Sequence, residues 1–368
     1  MIYIHIPFCK SRCIYCDFFS STLPVEWQKK YISALEREVS CRTEEIKFAG
    51  ADTIYLGGGT PSVLSGELLE YIFTILNDVC DGFHETIECT IEVNPDDVSA
   101  KLLNVLHRTP VNRISMGVQS LNNDILRRLG RRHTKEAALD SLKKIQETGY
   151  NNISVDLMYG LPGQTLSGWE DDVDEIIGCG ANHLSAYALQ VETGTVIEHY
   201  INSGELQLPC EEDVVSMYES LIRIMGNNGW EHYEISNFAK PGYRARHNSG
   251  YWQGMPYVGL GPGAHSYDSK NVRRSNCCDL EMYCNNVTVP CEKEILTEQD
   301  RLNEIILTRL RTSDGLQLNL LPKEMRESVL SVAKAHIARN TLIYEQGVLR
   351  LTEKGFFISN DIISDFML

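Results

Sequence analysis

MIYIHIPFCKSRCIYCDF, residues 1–18, runs from a short apolar stretch straight into a loop carrying Cys9, Cys13 and Cys16. The first six residues read as a β-strand. They lack the basic start, long apolar region and small-residue cleavage site of a signal peptide. The C-x3-C-x2-C loop therefore follows the first strand directly, at its C-terminal end. Strand-like runs recur at residues 52–58 (DTIYLGG), 86–93 (TIECTIEV), 113–119 (RISMGVQ), 153–160 (ISVDLMYG), 183–190 (HLSAYALQ) and 231–238 (EHYEISNF). Helical patterns lie between them, as at 25–39, 65–79, 133–149 and 167–180. Such alternation predicts βαβ crossovers and a parallel sheet. About six units predict an α/β fold of partial (β/α)6-type barrel over residues 1–240, with a doubly wound sheet as the alternative. Either fold places chemistry at the C-terminal ends of the strands.

Beyond the barrel, residues 241–290 have weaker periodicity and many Gly, Pro and aromatic residues. They read as a long functional loop within a linking region, 241–296. From 297 to 368 the pattern predicts two helices and then a hairpin turning at Gln346-Gly347. That arrangement is expected to form a small winged-helix-like α+β domain that caps or docks.

The chain has 368 residues and a formal net charge of −16, which repels phosphate backbones and argues against nucleic acid as a partner. No run approaches the roughly 18 apolar residues of a membrane span, and a cytoplasmic protein is expected. Twelve cysteines in an unexported chain should stay reduced, so a tight cluster of them holds metal or does chemistry. Three clustered thiolates suit a soft metal or an iron–sulfur cluster. A four-iron cluster held by three thiolates leaves one iron open for a small molecule. Zinc, which wants a fourth protein ligand, and three merely buried cysteines are the competing readings.

Further polar groups fall at strand ends. YLGGGTPS, Tyr55–Ser62, closes the second strand with three glycines that let backbone approach a ligand. Glu92 ends the third strand, Gln119 the fourth, and Asp156 lies in the fifth; Arg131 follows the fourth unit. Together they form a rim suited to ribose hydroxyls, an adenine edge and a carboxylate.

The C-x3-C-x2-C loop resembles the signature of the radical S-adenosylmethionine (SAM) superfamily. IHIPFCKSRCIYCDF, LGGGTP, IEVNP, RISMGVQS, DLMYGLPGQT and LSAYAL narrow the likeness to the oxygen-independent coproporphyrinogen III oxidase-like group. The resemblance implies a [4Fe-4S] cluster on Cys9, Cys13 and Cys16. It further implies SAM chelated at the open iron and cleaved to a 5′-deoxyadenosyl radical. Tyr3, Tyr15, Phe18, Gly58, Gly59, Thr60, Glu92, Gln119, Arg131, Asp156 and Gln190 would line the cofactor site.

Two departures separate the chain from the decarboxylating branch. Phe18 stands where that branch carries a further cysteine, and the first strand begins at Met1, without a preceding arm. Coproporphyrinogen dehydrogenase activity is therefore disfavoured, and oxidative decarboxylation to protoporphyrinogen IX is kept as the alternative. The sister group, HemW-type heme chaperones, has the C-x3-C-x2-C-x-F loop and an H-N-x-x-Y-W motif, present here as HNSGYW, His247–Trp252. That likeness implies heme as cargo, delivery to heme-acceptor proteins such as respiratory membrane proteins, and a flavodoxin-like reductant. Transient membrane contact and a homodimer are further expectations.

His247 would ligate heme iron with Tyr251 and Trp252 against the macrocycle. Alternatively, His247 and Asn248 fasten the loop to the barrel and Trp252 fills a small core. His5, His133 and His265 are lesser ligand candidates. Cys277, Cys278, Cys284 and Cys291 are spaced like no known metal motif and read as ordinary thiols in a helical stretch.

Overall fold

The computed structural model describes residues 1–367; Leu368, the last residue of the expected C-terminal unit, lies outside them. Six strands run parallel in chain order: β1 (Ile2–Ile6), β2 (Thr53–Gly58), β3 (Glu88–Val93), β4 (Arg113–Gln119), β5 (Ile153–Tyr159) and β6 (His183–Ala188). These are the expected runs, trimmed at their ends. Nearly every position in them is buried, which is why they read as almost continuous apolar segments rather than as alternating ones.

The crossover helices start where short polar side chains satisfy free backbone donors. Ser65, Thr134 and Thr165 accept from the N–H groups of Leu68, Ala137 and Gly168 at the heads of helices Gly66–Val79, Lys135–Glu147 and Leu166–Gly178. Their apolar faces cover the sheet in one continuous core. Trp169 is fully buried there and donates its indole N–H to the Met217 carbonyl over 2.9 Å.

EHYEISNF forms a hairpin, β7 (Glu231–Glu234) and β8 (Asn237–Ala239), whose second strand pairs antiparallel with β6. At the opposite edge β9 (Val258–Leu260) adds parallel to β1. The order β7-β8-β6-β5-β4-β3-β2-β1-β9 does not close on itself, so the fold is a partial barrel.

The region expected to be a long loop is instead structured. It holds a helix, Arg246–Trp252, then β9, then an antiparallel sheet of β10 (His265–Tyr267), β11 (Val272–Asn276) and β12 (Cys291–Ile295), with helix Leu280–Asn285 before the last strand. Through β9 this region joins the main sheet.

A buried ion pair fastens this region. Glu38, on helix Val25–Cys41, accepts from Arg42 (2.9 Å), Asn276 (2.8 Å), Tyr283 (2.8 Å) and the Gly261 amide (2.9 Å). Arg42 in turn donates to the Gly259 carbonyl and to the Ser266 hydroxyl. All four carboxylate contacts are filled, which is the condition under which a buried charge is tolerated.

The C-terminal part follows expectation. Helices Glu298–Leu310 and Lys323–Ala338 precede the hairpin of β14 (Leu342–Glu345) and β15 (Val348–Leu351), and β13 (Leu316–Gln317) completes its sheet. Gln346 and Gly347 both have positive φ (50° and 82°), as a two-residue type I′ turn requires. No helix among the described residues is long and apolar enough to cross a membrane.

Candidate cofactor site

The cysteine loop is pinned at base and tip. The Cys9 amide donates to the Ser21 carbonyl and the Ser21 amide to that of Pro7, so the chain leaves and rejoins β1 at one point. Ile14 donates to Leu129 and accepts from Ile197, which holds the far end against two later crossovers. Burial pushes the Cys9 and Cys16 thiols up. A metal centre would supply the positive charge that deprotonates them. Among the described residues no three His, Cys, Asp or Glu side chains converge as on a single ion. A polynuclear cluster does not require that, because each thiolate holds a different iron.

All three cysteines open onto one cavity of ≈ 460 Å³ above the C-terminal strand ends. Of the residues expected to hold a cofactor, Tyr15, Phe18, Gly58, Gly59, Thr60, Glu92, Gln119, Arg131, Asp156 and Gln190 line it. Tyr3 does not. Its hydroxyl bonds to His5 Nδ1 at 3.1 Å, and its ring lines a different cavity.

The glycines are required sterically. Gly58 has φ +108°, and a β-carbon there would stand 2.6 Å from the His5 ring; at Gly59 one would lie 2.7 Å from the Phe8 carbonyl. Gln119 holds φ +72° at a bulge between β4 and β5, an uncommon conformation for a non-glycine residue and one that concentrates at functional sites.

The floor is charged. Glu92 accepts from the Tyr55 hydroxyl (2.7 Å) and the Gly58 amide (3.1 Å), and burial raises its pKa to about 7. Asp156 accepts from Ser115 and is also pushed up by burial. Arg113, fully buried, lines the same cavity, and its Nε has no hydrogen-bond partner. Arg131 donates to the Gly117 carbonyl and points Nη1 at Cys13 Sγ, 3.5 Å away; its buried Nε is likewise unpartnered. Buried guanidinium nitrogens without acceptors, facing a cavity beside thiols, fit a site built for an anionic cluster and a polar ligand. Tyr55, Arg113, Ser115, Ser185 and Tyr187 were not anticipated. They sit inside strands, where sequence periodicity does not tell a cavity-facing polar residue from a buried one.

His247 sits elsewhere. The amides of Arg246 and His247 donate to Glu88, and His247 Nδ1 bonds to Thr53 at 2.7 Å, while Nε2 bonds to Tyr251 at 2.9 Å. Thr53 and Glu88 begin β2 and β3, so the residue is anchored at the opposite end of the sheet from the cysteines. Both ring nitrogens of His247 are thus engaged, and burial lowers its pKa to about 3. His133 is buried, with Nε2 on the Val118 carbonyl. Cys277 and Cys278 precede helix Leu280–Asn285, Cys284 lies within it, and Cys291 opens β12, so the four do not share one helical stretch.

The chain resembles known proteins along its whole length. The radical SAM superfamily model matches residues 3–176. Heme chaperone HemW of Lactococcus lactis subsp. lactis is 34% identical over 375 residues, covering 100% of this chain and 97% of that protein. Heme chaperone HemW of Bacillus subtilis is 34% identical over 379 residues, covering 99% and 98%. The solved structure of coproporphyrinogen III oxidase (HemN) from Escherichia coli superposes with a TM-score of 0.85 at 20% identity, covering 100% of this chain and 89% of that one, a likeness of fold.

Proposed function

Because the chain belongs to the HemW heme-chaperone family of the radical SAM superfamily, we propose that it binds heme and passes it to acceptor proteins, such as membrane respiratory proteins, using a [4Fe-4S] cluster with SAM. The observation that carries the proposal is the convergence of three thiols and polar groups from successive strand ends on one cavity. Cys9, Cys13 and Cys16 would hold the cluster, whose bound cofactor supplies one-electron chemistry when reduced, here by a flavodoxin-like donor. Gly58 and Gly59 keep the wall flat enough for a ligand to lie against backbone. Glu92 and Asp156 offer acceptors to an ammonium or to ribose hydroxyls, while Arg131 balances the negative charge of the thiolates. The protein is proposed to work in the cytoplasm.

The experiment that tests this function is paired. Anaerobically reconstituted protein is titrated with hemin, followed by absorbance, and incubated with coproporphyrinogen III, followed by porphyrin fluorescence. Saturable hemin binding without turnover is expected. Robust formation of protoporphyrinogen IX would replace the chaperone reading with the oxidase one.

Glu92 gives a pH signature. Its folded pKa, about 7 against an ordinary 4.5, means that folding takes up a proton between these values. Its contribution to stability is therefore present below pH 4.5 and is lost as pH rises through 7. A cationic ligand selects the ionised carboxylate, so its binding releases that proton. Affinity for SAM should rise by up to about tenfold per pH unit below pH 7 and level off above it. Titration calorimetry on the wild type and Glu92→Gln checks this: the variant should bind more weakly and lose the slope.

A further inference from the structure

Positive charge gathers beside the cysteine loop, against the charge of the whole molecule. Arg127, Arg128, Arg131 and Arg132 place four guanidinium groups within six residues, the highest cation density in the chain. The first two end helix Asn123–Arg128, and the others follow it. Folding brings this segment against the loop. The Ile14 amide donates to the Leu129 carbonyl, and a β-carbon on Gly130 would meet Ile14 and the Arg12 carbonyl within 4 Å. Lys10 and Arg12 add two cations from the loop itself.

Six cations therefore flank the loop on this side, and four carboxylates lie among them. Asp97 takes Lys10 and stands 3.7 Å from Arg132, Asp96 stands 3.6 Å from Arg132, and Asp124 takes Arg127 at 2.8 Å. Asp17 is exposed on the loop. The balance inverts that of the chain, which has 34 Lys and Arg against 50 Asp and Glu. Two of the cations are exposed and carry no carboxylate. Arg12 reaches only the Cys16 carbonyl, at 3.4 Å, and Arg128 has no side-chain hydrogen bond or ion pair among the described residues. Across the loop the sign changes. Ile197 donates to the Ile14 carbonyl there, and the adjoining segment carries Glu192 and Glu198. Between the two sides Phe18 is 63% exposed beside the cysteines.

An apolar side chain with free cations on one flank and carboxylates on the other is a surface that attracts an acidic partner and fixes its orientation. A cluster in this loop takes its electron from outside, and electron transfer weakens steeply with distance, so a donor has to sit on this face. Redox encounters use some of the smallest specific interfaces, below about 1,200 Å², and depend on charge to form quickly. We infer that Lys10, Arg12 and the Arg127–Arg132 segment are the docking surface for a small acidic electron-transfer protein. Its carboxylates meet Arg12, Arg127 and Arg128, and its redox group sits over Phe18. One electron crosses: the donor is oxidised by one, the cluster is reduced by one, and no bond or proton moves. The assignment rests on the cluster reading above and adds to it the place and the charge of the partner.

Reconstituted full-length protein is titrated with an acidic flavodoxin, followed by flavin fluorescence. Affinity should fall about tenfold between roughly 0.05 and 0.3 M salt. Arg127→Glu combined with Arg128→Glu should weaken binding by about tenfold or more. It should slow cluster reduction by limiting reduced flavodoxin to the same degree, yet not slow reduction by reduced methyl viologen, a small cation. Arg128→Gln, which removes one charge and adds none, should show a smaller loss in the same direction. Lys143→Glu with Lys144→Glu makes the same change in net charge at exposed positions of helix Lys135–Glu147 and should bind as the wild type does. Iron content and thermal melt should match the wild type throughout. The assignment is overturned if the Arg127 and Arg128 variants keep wild-type affinity, or if the Lys143 and Lys144 variant loses as much. It is also overturned if the arginine changes abolish binding to anionic phospholipid vesicles but spare the flavodoxin. A SAM-responsive cluster in protein that binds no flavodoxin would remove this surface alone. Charge-dependent flavodoxin binding by protein that assembles no cluster would keep the surface and remove the cofactor reading.

Discussion

Cys13→Ala, reconstituted without air, is expected to retain no stable iron–sulfur centre. Iron content should fall to background and the charge-transfer absorption should vanish. Three thiols share the loop, and removing one leaves two. Position 18, the nearest place where a further thiol would fit the loop, is Phe18. Thr60, with its hydroxyl 3.5 Å from Cys9 Sγ, offers only a hard, neutral oxygen to a soft metal. Losing a partner outside the ligand set typically costs about 10–100-fold in metal affinity, and losing a ligand costs more. Because Cys13 is partly exposed on a loop tied down by backbone bonds at both ends, the barrel itself should melt as before. Iron analysis and a thermal melt on the same sample separate the two effects. An unchanged iron content would mean that the loop is not the ligand set.

Glu38→Ala should lower the free energy of unfolding by about 3–5 kcal/mol, the usual consequence of stranding one half of a buried ion pair. The loss reaches further than the pair. Arg42 keeps its bonds to Glu45, the Gly259 carbonyl and Ser266 but loses its buried counter-charge. Asn276, Tyr283 and the Gly261 amide all lose an acceptor in a dry interior. These groups sit on or beside β9, β10, β11 and the helix after them, so that region should loosen first. Urea unfolding measures the energy. Hydrogen exchange places it, with protection expected to fall at residues 258–284 before the β2–β5 core. Loss spread evenly over the whole sheet would mean that the pair is not the local clasp described.

The parallel half of the fold was legible because it is buried on both faces. Ile2, Ile4 and Ile6, or Ile54 and Leu56, cannot be anything but interior, and glycines and cysteines at the strand ends mark where the chain turns. Strand-end polar residues stood out by the same logic, and Glu92, Gln119 and Asp156 do line one cavity. The segment after residue 240 was misread for the opposite reason. Its strands are short, β9 being Val258–Leu260, and β12 is exposed along its whole length, so no period marks them. What organises them is Glu38, a charged residue on a helix more than two hundred positions earlier, and nothing in a local window announces that partnership. His247 was ambiguous in the sequence because a histidine beside aromatics suits either a ligand or a clasp, and no local pattern foretells that Thr53 and Tyr251 fill its two ring nitrogens.

The central claim is that the cysteine loop carries a cluster with one iron open to SAM. Electron paramagnetic resonance on the anaerobically reconstituted, reduced protein, recorded with and without SAM, tests it most directly. A cluster signal that changes shape and g values when SAM is added is the predicted result. A signal indifferent to SAM, or none at all from fully iron-loaded protein, would contradict it.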